Sequence, residues 1–232
     1  MNIRGLQQTS LIDFPGEICA TLFVGGCNLR CRYCYNRELV LDHAALPFFS
    51  PQEILAFLQR RRPLLDGVCI SGGEPTLQGA LLPFLTAVKK MGLKVKLDTN
   101  GTRPAVIRKL LKENILDYIA VDIKGPWGKY PLITGENIDP GALKETVALL
   151  KGCSLEQEFR TTVVPGLLEE EDLLCIAKEI AGCQKYVLQQ YRPHAGVIDP
   201  ALCSVQPFPR ETIRQVARSC REYVQSVELR GF

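Results

Sequence analysis

Gly25-Gly26-Cys27-Asn28-Leu29-Arg30-Cys31-Arg32-Tyr33-Cys34-Tyr35-Asn36 is the stretch around which the chain is organised. Three cysteines fall at spacings of four and three, just after an apolar run that ends in two glycines. A loop need not keep its side chains on alternating faces, so thiolates this close can converge on one metal centre. An iron–sulfur cluster ordinarily takes four cysteine ligands, and three leave one iron without a protein partner. An open coordination position is how a metal site binds a substrate or cofactor and becomes reactive, a logic best documented for zinc. Two plainer readings stand beside the cluster: three unrelated buried thiols, or a zinc site that borrows a distant fourth ligand.

The 232 residues suffice for one large α/β domain with a sizeable core, and residues 1–232 are expected to form a single domain. A hydrophobic fraction of 46% and a charged fraction of 23% are ordinary for a globular protein. No apolar stretch approaches membrane-spanning length, and Met1-Asn2-Ile3-Arg4-Gly5 lacks the features of a secretory signal. Ten cysteines in such a chain point to reduced thiols in a cytoplasm. Cys19, Cys69, Cys153, Cys175, Cys183, Cys203 and Cys220 show no close metal-ligand pairing. A net charge of +3 is too mild to imply nucleic acid, and Arg60-Arg61-Arg62 and Lys89-Lys90 read as solvated helix ends.

Taken in order, strand and helix signals alternate. The run from Ile18 to Val24 favours a strand, and the cysteine loop follows it. Ser50-Pro51-Gln52-Glu53 opens a helix with a cap, a first-turn proline and a glutamate at the third position. That helix runs to about Arg62, where Pro63 discourages continuation. Strands follow at 67–70, 94–97, 118–121, 157–164 and 186–190, separated by helices at about 79–91, 104–113, 140–151 and from Glu169. Gly92 is a stop signal, and the acidic run Glu169-Glu170-Glu171-Asp172 suits a helix N-terminus. A helix over about 210–224 and a possible edge strand at 227–230 complete the chain. Six strand–helix units imply an α/β fold with a parallel sheet and right-handed crossovers.

The polar clusters sit at corresponding places. Cys27 to Cys34, Gly72-Gly73-Glu74, Asp98-Thr99-Asn100, Asp122 with Lys124, and Gln189 to Arg192 each follow the carboxyl end of an expected strand. Active sites in parallel α/β folds collect at that edge. Each residue also has a plain reading. Gly72-Gly73 can be a tight turn, Asp98 a capping aspartate, Lys124 a solvated lysine at a strand end and Tyr33 a core aromatic. Arg30 and Arg32 can be two exposed arginines.

The cysteine loop resembles the signature of the radical S-adenosylmethionine (SAM) enzymes, which has these spacings and an aromatic residue before the third cysteine. Gly72-Gly73-Glu74-Pro75 resembles their second motif. Leu11-Ile12-Asp13-Phe14-Pro15-Gly16, Asp98-Thr99-Asn100-Gly101, Asp122-Ile123-Lys124 and Arg160-Thr161-Thr162-Val163-Val164-Pro165 are similar to glycyl-radical-enzyme activating proteins, those of anaerobic ribonucleotide reductase above all. The likeness covers about residues 6 to 195. It implies a partial (β/α)6 barrel that encloses a [4Fe-4S] cluster and SAM, with Cys27, Cys31 and Cys34 on three irons and the fourth iron on SAM. The reduced cluster then breaks a sulfur–carbon bond, and the product radical abstracts hydrogen from a glycine of a partner glycyl radical enzyme. A flavodoxin or ferredoxin is the implied electron donor. Gly72, Gly73 and Glu74 are implied at the methionyl amine, Lys124 with Asp122 at the SAM carboxylate, Tyr33 against the adenine and Asn36 as a hydrogen-bonding support of the loop. Asp98 and Thr99 resemble a monovalent-cation position.

Related activating proteins often carry His directly after the third cysteine, where Tyr35 stands here, and one places His after the sixth strand, near Tyr191-Arg192. His43 and His194 fall in expected loops and take no catalytic role. Two rival functions share some of these residues. One is a radical SAM enzyme acting on a small molecule or nucleotide, such as a deazapurine-forming carbon-ring synthase. The other is a non-catalytic zinc or redox binding protein.

Overall fold

The structure, a computed structural model, describes residues 1–232. Its strands are β1 (Ile3–Ser10), β2 (Cys19–Val24), β3 (Gly67–Gly72), β4 (Lys94–Thr99), β5 (Tyr118–Asp122), β6 (Glu156–Val163), β7 (Tyr186–Gln190) and β8 (Val227–Arg230). They are hydrogen-bonded in sequence order from β1 to β8. β1 runs antiparallel to β2, whereas β2–β3, β3–β4, β6–β7 and β7–β8 are parallel pairs. The helices are α1 (Arg37–Leu41), α2 (Pro51–Arg61), α3 (Leu81–Lys90), α4 (Pro104–Lys112), α5 (Tyr130–Thr134), α6 (Pro140–Lys151), α7 (Glu170–Glu179) and α8 (Arg210–Cys220). The six expected strand–helix units are therefore present, from β2 to α8.

Local chemistry explains the boundaries. The Ser50 hydroxyl accepts from the Glu53 backbone N–H at 3.2 Å, and the Glu53 carboxylate accepts from the Ser50 N–H at 2.8 Å. This reciprocal capping box starts α2 where the sequence places it. The helix ends at Arg61, and a 3-10 turn over Arg62–Leu64 absorbs Pro63. α3 stops at Lys90, two residues before Gly92, whose φ of +78° is left-handed. Lys89 is not a solvated helix end, because its ammonium pairs with both oxygens of Asp117 at 2.7 and 2.8 Å. β1 has no counterpart in the sequence reading. Its run Ile-Arg-Gly-Leu-Gln-Gln-Thr-Ser lacks the alternation that marks a strand, and pairing with β2 creates it, with Ile3 opposite Val24 and Leu6 opposite Leu22.

The chain divides into two compact units: residues 1–28, 38–99 and 105–119, and residues 29–37, 100–104 and 120–232. In the first, Ala20, Leu22 and Val24 of β2, Val68 and Ile70 of β3 and Val95 and Leu97 of β4 are fully buried. Ile54 and Leu58 of α2 and Leu81, Phe84, Leu85 and Val88 of α3 are their helical counterparts, at spacings that put each set on one face. In the second, Phe159, Val163, Tyr186 and Leu188 are buried strand residues. α8 buries Ile213, Val216, Ala217 and Cys220, one apolar stripe, and packs against α7.

Candidate functional site

In the first unit, the ends of β2 and β3 are fastened backbone to backbone. The Gly73 N–H donates to the Val24 carbonyl and the Glu74 N–H to the Gly26 carbonyl, both at 2.8 Å. A Cβ on Gly73 would lie 2.0 Å from the Gly26 oxygen, and one on Gly72, where φ is +113°, 2.4 Å from the Val24 nitrogen. The two glycines are thus required by the chain's own strand ends, whatever else they approach. Cys27 follows directly and is half-buried.

Glu74 is fully buried and acts as a hub. Its Oε1 accepts from the Thr76 N–H at 3.0 Å, the Thr76 hydroxyl at 2.5 Å and the Thr99 hydroxyl at 2.7 Å. One carboxylate therefore ties the turn after β3 to the end of β4. Asp98 shares a strand face with Lys96, two residues earlier, and the two form an ion pair. The Lys96 side chain is only 2% exposed. The sequence reading missed Lys96, although its place in the β4 run Lys-Val-Lys-Leu-Asp-Thr, on the face of Asp98, was a usable signal.

In the second unit, the cysteine loop is held at several points. Backbone N–H groups of Arg30 and Arg32 donate to the carbonyls of Thr134 and Ile133 at 2.8 and 3.0 Å. The Cys34 N–H donates to the Cys31 carbonyl at 2.9 Å, closing a tight turn that carries Cys31 and Cys34 at its two ends. Cys31 is 7% exposed and Tyr33 5%, so Tyr33 is a packed aromatic. Burial pushes the Cys34 thiol above its ordinary pKa, opposed by a backbone hydrogen bond from Asn36 and by the Lys124 charge. Asn36 thus supports the loop through its main chain. Arg32 is not a spare surface arginine, since its guanidinium pairs with Asp199 at 2.7 Å and its carbonyl accepts the Asp199 N–H.

Tyr35, directly after the third cysteine, is a fastener. Its hydroxyl accepts the Arg192 N–H at 2.8 Å and donates to the Arg192 carbonyl at 2.9 Å. Its ring stacks on Tyr191 with centroids 5.8 Å apart, and His194 meets its edge. The Arg192 main chain, not its side chain, makes this contact.

Lys124 is not a solvated strand-end lysine, because its side chain is 15% exposed. Its ammonium donates to Asp122 Oδ2 at 3.1 Å, and Arg160 donates to Asp122 Oδ1 at 2.8 Å. Burial works to raise the Asp122 carboxyl, but the Arg160 and Lys124 charges overcome it and hold it well below the ordinary carboxylate range. Burial likewise works to lower Lys124, and Asp122 outweighs it, so the ammonium stays charged. Arg160 continues to the buried Glu158 at 3.8 Å, which takes both Arg230 nitrogens at 3.1 Å. This charge ladder across β5, β6 and β8 was invisible in the sequence beyond the Arg160 motif. Asn100 caps its own turn, accepting from the N–H and hydroxyl of Thr102.

All ten cysteines are thiols, and no three His, Cys, Asp or Glu side chains are grouped as ligands of a single metal ion. No helix is long and apolar enough to cross a membrane.

Comparison with known proteins identifies the family. The chain is 35% identical over 238 residues to a Methanocaldococcus jannaschii protein whose provisional name is glycyl-radical enzyme activating enzyme, covering 98% of this chain and 95% of that one. It is 29% identical over 242 residues to the pyruvate formate-lyase-activating enzyme of Clostridium pasteurianum, covering 96% and 98%. Among solved structures, the crystal structure of Streptococcus suis SuiB bound to precursor peptide SuiA shares the fold with a TM-score of 0.69 at 13% identity, over 89% of this chain and 47% of that one. Residues 21–174 match the radical SAM superfamily, which takes in the cysteine loop, the glycine–glutamate turn and the Asp122–Lys124 pair. The chain belongs to the radical SAM superfamily.

Proposed function

We propose that this protein is an activating enzyme that cleaves SAM reductively at a [4Fe-4S] cluster and abstracts hydrogen from a glycine of a partner glycyl radical enzyme, the anaerobic ribonucleotide reductase. The observation that carries the activating-enzyme reading is the end-to-end likeness to two relatives named as activating enzymes, with nearly all of both chains covered; the choice of the reductase as partner rests on the sequence motifs alone.

The residues fit the cofactors. Cys27, Cys31 and Cys34 supply three soft thiol donors, the ligand type of iron–sulfur clusters. When bound, the cluster and SAM together supply reductive cleavage of a sulfur–carbon bond and, with it, the hydrogen-abstracting species. The protein's own part is to bind, orient and exclude competing reactions. Lys124, kept charged by Asp122, offers a charge-assisted donor to the SAM carboxylate. Gly72, Gly73 and Glu74 present backbone toward the methionyl amine, with Glu74 fixing the turn through Thr76 and Thr99. Tyr33 contributes packing behind the turn and lies against the adenine in this reading. Tyr35 and Arg32 hold the loop through Arg192 and Asp199. Asp98 faces the bound cofactor in this reading. The position of Asp98 and Thr99 adds a monovalent positive charge to the cofactor set. Residues 1–232 act as one catalytic domain in the cytoplasm, with a flavodoxin or ferredoxin as electron donor and no nucleic-acid or membrane partner.

Anaerobic incubation with SAM, a reductant and the reductase tests the proposal by electron paramagnetic resonance. The expected result is one 5′-deoxyadenosine per glycyl radical formed. Efficient turnover of a small metabolite, with no radical on any candidate partner, would replace this reading by that of a metabolic radical SAM enzyme. Zinc in place of iron and sulfide in anaerobically purified protein would replace both.

A further inference from the structure

A lysine inside a strand is costly to bury, and Lys96 is buried among polar and aromatic groups on β4. Its ammonium is paired with the Asp98 carboxylate, lies 3.8 Å from the Cys69 sulfur and stands 5.8 Å from the centre of the Tyr118 ring. An ammonium survives out of water only where such partners replace its hydration. A sodium or potassium ion on Asp98 would therefore sit against a positive charge already in place, and like charges repel strongly where water is excluded.

We infer that Lys96 brings to Asp98, as a tethered ammonium, the positive charge expected of a free monovalent cation, so that SAM binds without one. The inference rests on the proposed reading in which Asp98 faces the cofactor. A tethered charge has three consequences. It cannot be washed out or exchanged between sodium and potassium. It loses no translational freedom when the cofactor binds. It also keeps Asp98 compensated in the cofactor-free protein, where a dissociable ion would leave at low salt.

The test is SAM binding by calorimetry on the anaerobically reconstituted cluster-loaded protein in sodium, potassium and choline chloride at equal ionic strength. Affinity is expected to agree within about twofold across the three salts, because choline is too bulky to replace a bound metal ion. Lys96→Met is expected to bind at least about tenfold more weakly in choline chloride and to recover in potassium or sodium, as the vacated position admits an ion. Tenfold tighter binding by the wild-type protein in sodium or potassium would overturn the inference, as would wild-type affinity of Lys96→Met in choline chloride. If Lys96→Met does not fold, the wild-type salt series decides alone. Salt-independent SAM binding with no radical on any partner would leave this inference standing and count only against the partner assignment.

Discussion

Gly73 shows how little freedom single residues have at this edge of the sheet. Its missing Cβ admits the Gly26 carbonyl, so Gly73→Ala drives backbone against backbone rather than against a movable side chain. The variant is expected to lose about 2 kcal/mol or more, within the range of overpacking substitutions, and urea unfolding of the cofactor-free protein will read it. Lys124→Ala removes one charge-assisted donor, worth roughly 1.5–3 kcal/mol, or about one to two decades of affinity. Iron and sulfide content should be unchanged while calorimetric SAM binding falls; unaltered binding would remove Lys124 from the site. Cys31→Ala is expected to lose the brown chromophore and SAM cleavage, whereas Cys183→Ala keeps both, since Cys183 is a buried thiol outside the loop. Asp122 gives the pH dependence. Its folded pKa is depressed, so its stabilisation is complete above the unfolded value of about 3.9 and is lost as pH falls toward the folded value. Asp122→Asn should therefore destabilise the cofactor-free protein at neutral pH by about 1–3 kcal/mol, less than a fully buried pair would, because the Asp122 side chain is 32% exposed and water screens part of the attraction. The gap from wild type should narrow below about pH 4. A constant gap down to pH 2 would mean that Asp122 is not held ionised by Arg160 and Lys124.

At the scale of elements, β8 depends on one ion pair more than on its length. It has four residues, all half-buried, and follows β7 in parallel with Leu229 opposite Leu188. Arg230 delivers both terminal nitrogens to Glu158, whose side chain is 1% exposed. Arg230→Ala takes both of those nitrogens away from a buried carboxylate, and the expected loss is about 3 kcal/mol. Hydrogen exchange should show protection lost first in 227–230; a uniform loss along the sheet would show that β8 is held by its apolar contacts instead. α2 is the opposite case, since its start is encoded locally. Ser50→Ala should cost about 1 kcal/mol through the lost cap alone, with no effect on SAM binding.

For the whole molecule, the cysteines report the fold. Cys175 is exposed, whereas Cys19, Cys69, Cys183 and Cys220 are buried. Pulsed alkylation of the native cofactor-free protein should label Cys175 first and those four thiols, all outside the cysteine loop, only with global unfolding; early labelling of Cys69 would contradict the burial of its strand. The sequence alone determined the six strand–helix units, the cysteine turn and the capped start of α2. Each of these depends on neighbours within about ten residues, through periodicity, caps and spacing. It also placed Gly72-Gly73-Glu74, Asp98, Asp122 and Lys124 at strand ends, because strand ends follow from the same local signals. Tertiary structure alone decided what those residues touch. β1 became a strand only by pairing with β2, and Lys96 became a buried cation only because Cys69 and Tyr118 were folded around it. Tyr35 became a fastener only because Arg192, 157 residues away, was brought to its hydroxyl. Local backbone preference is written in adjacent residues, whereas the partner of a buried charge or hydroxyl is chosen by burial, which removes water and leaves distant side chains to replace it.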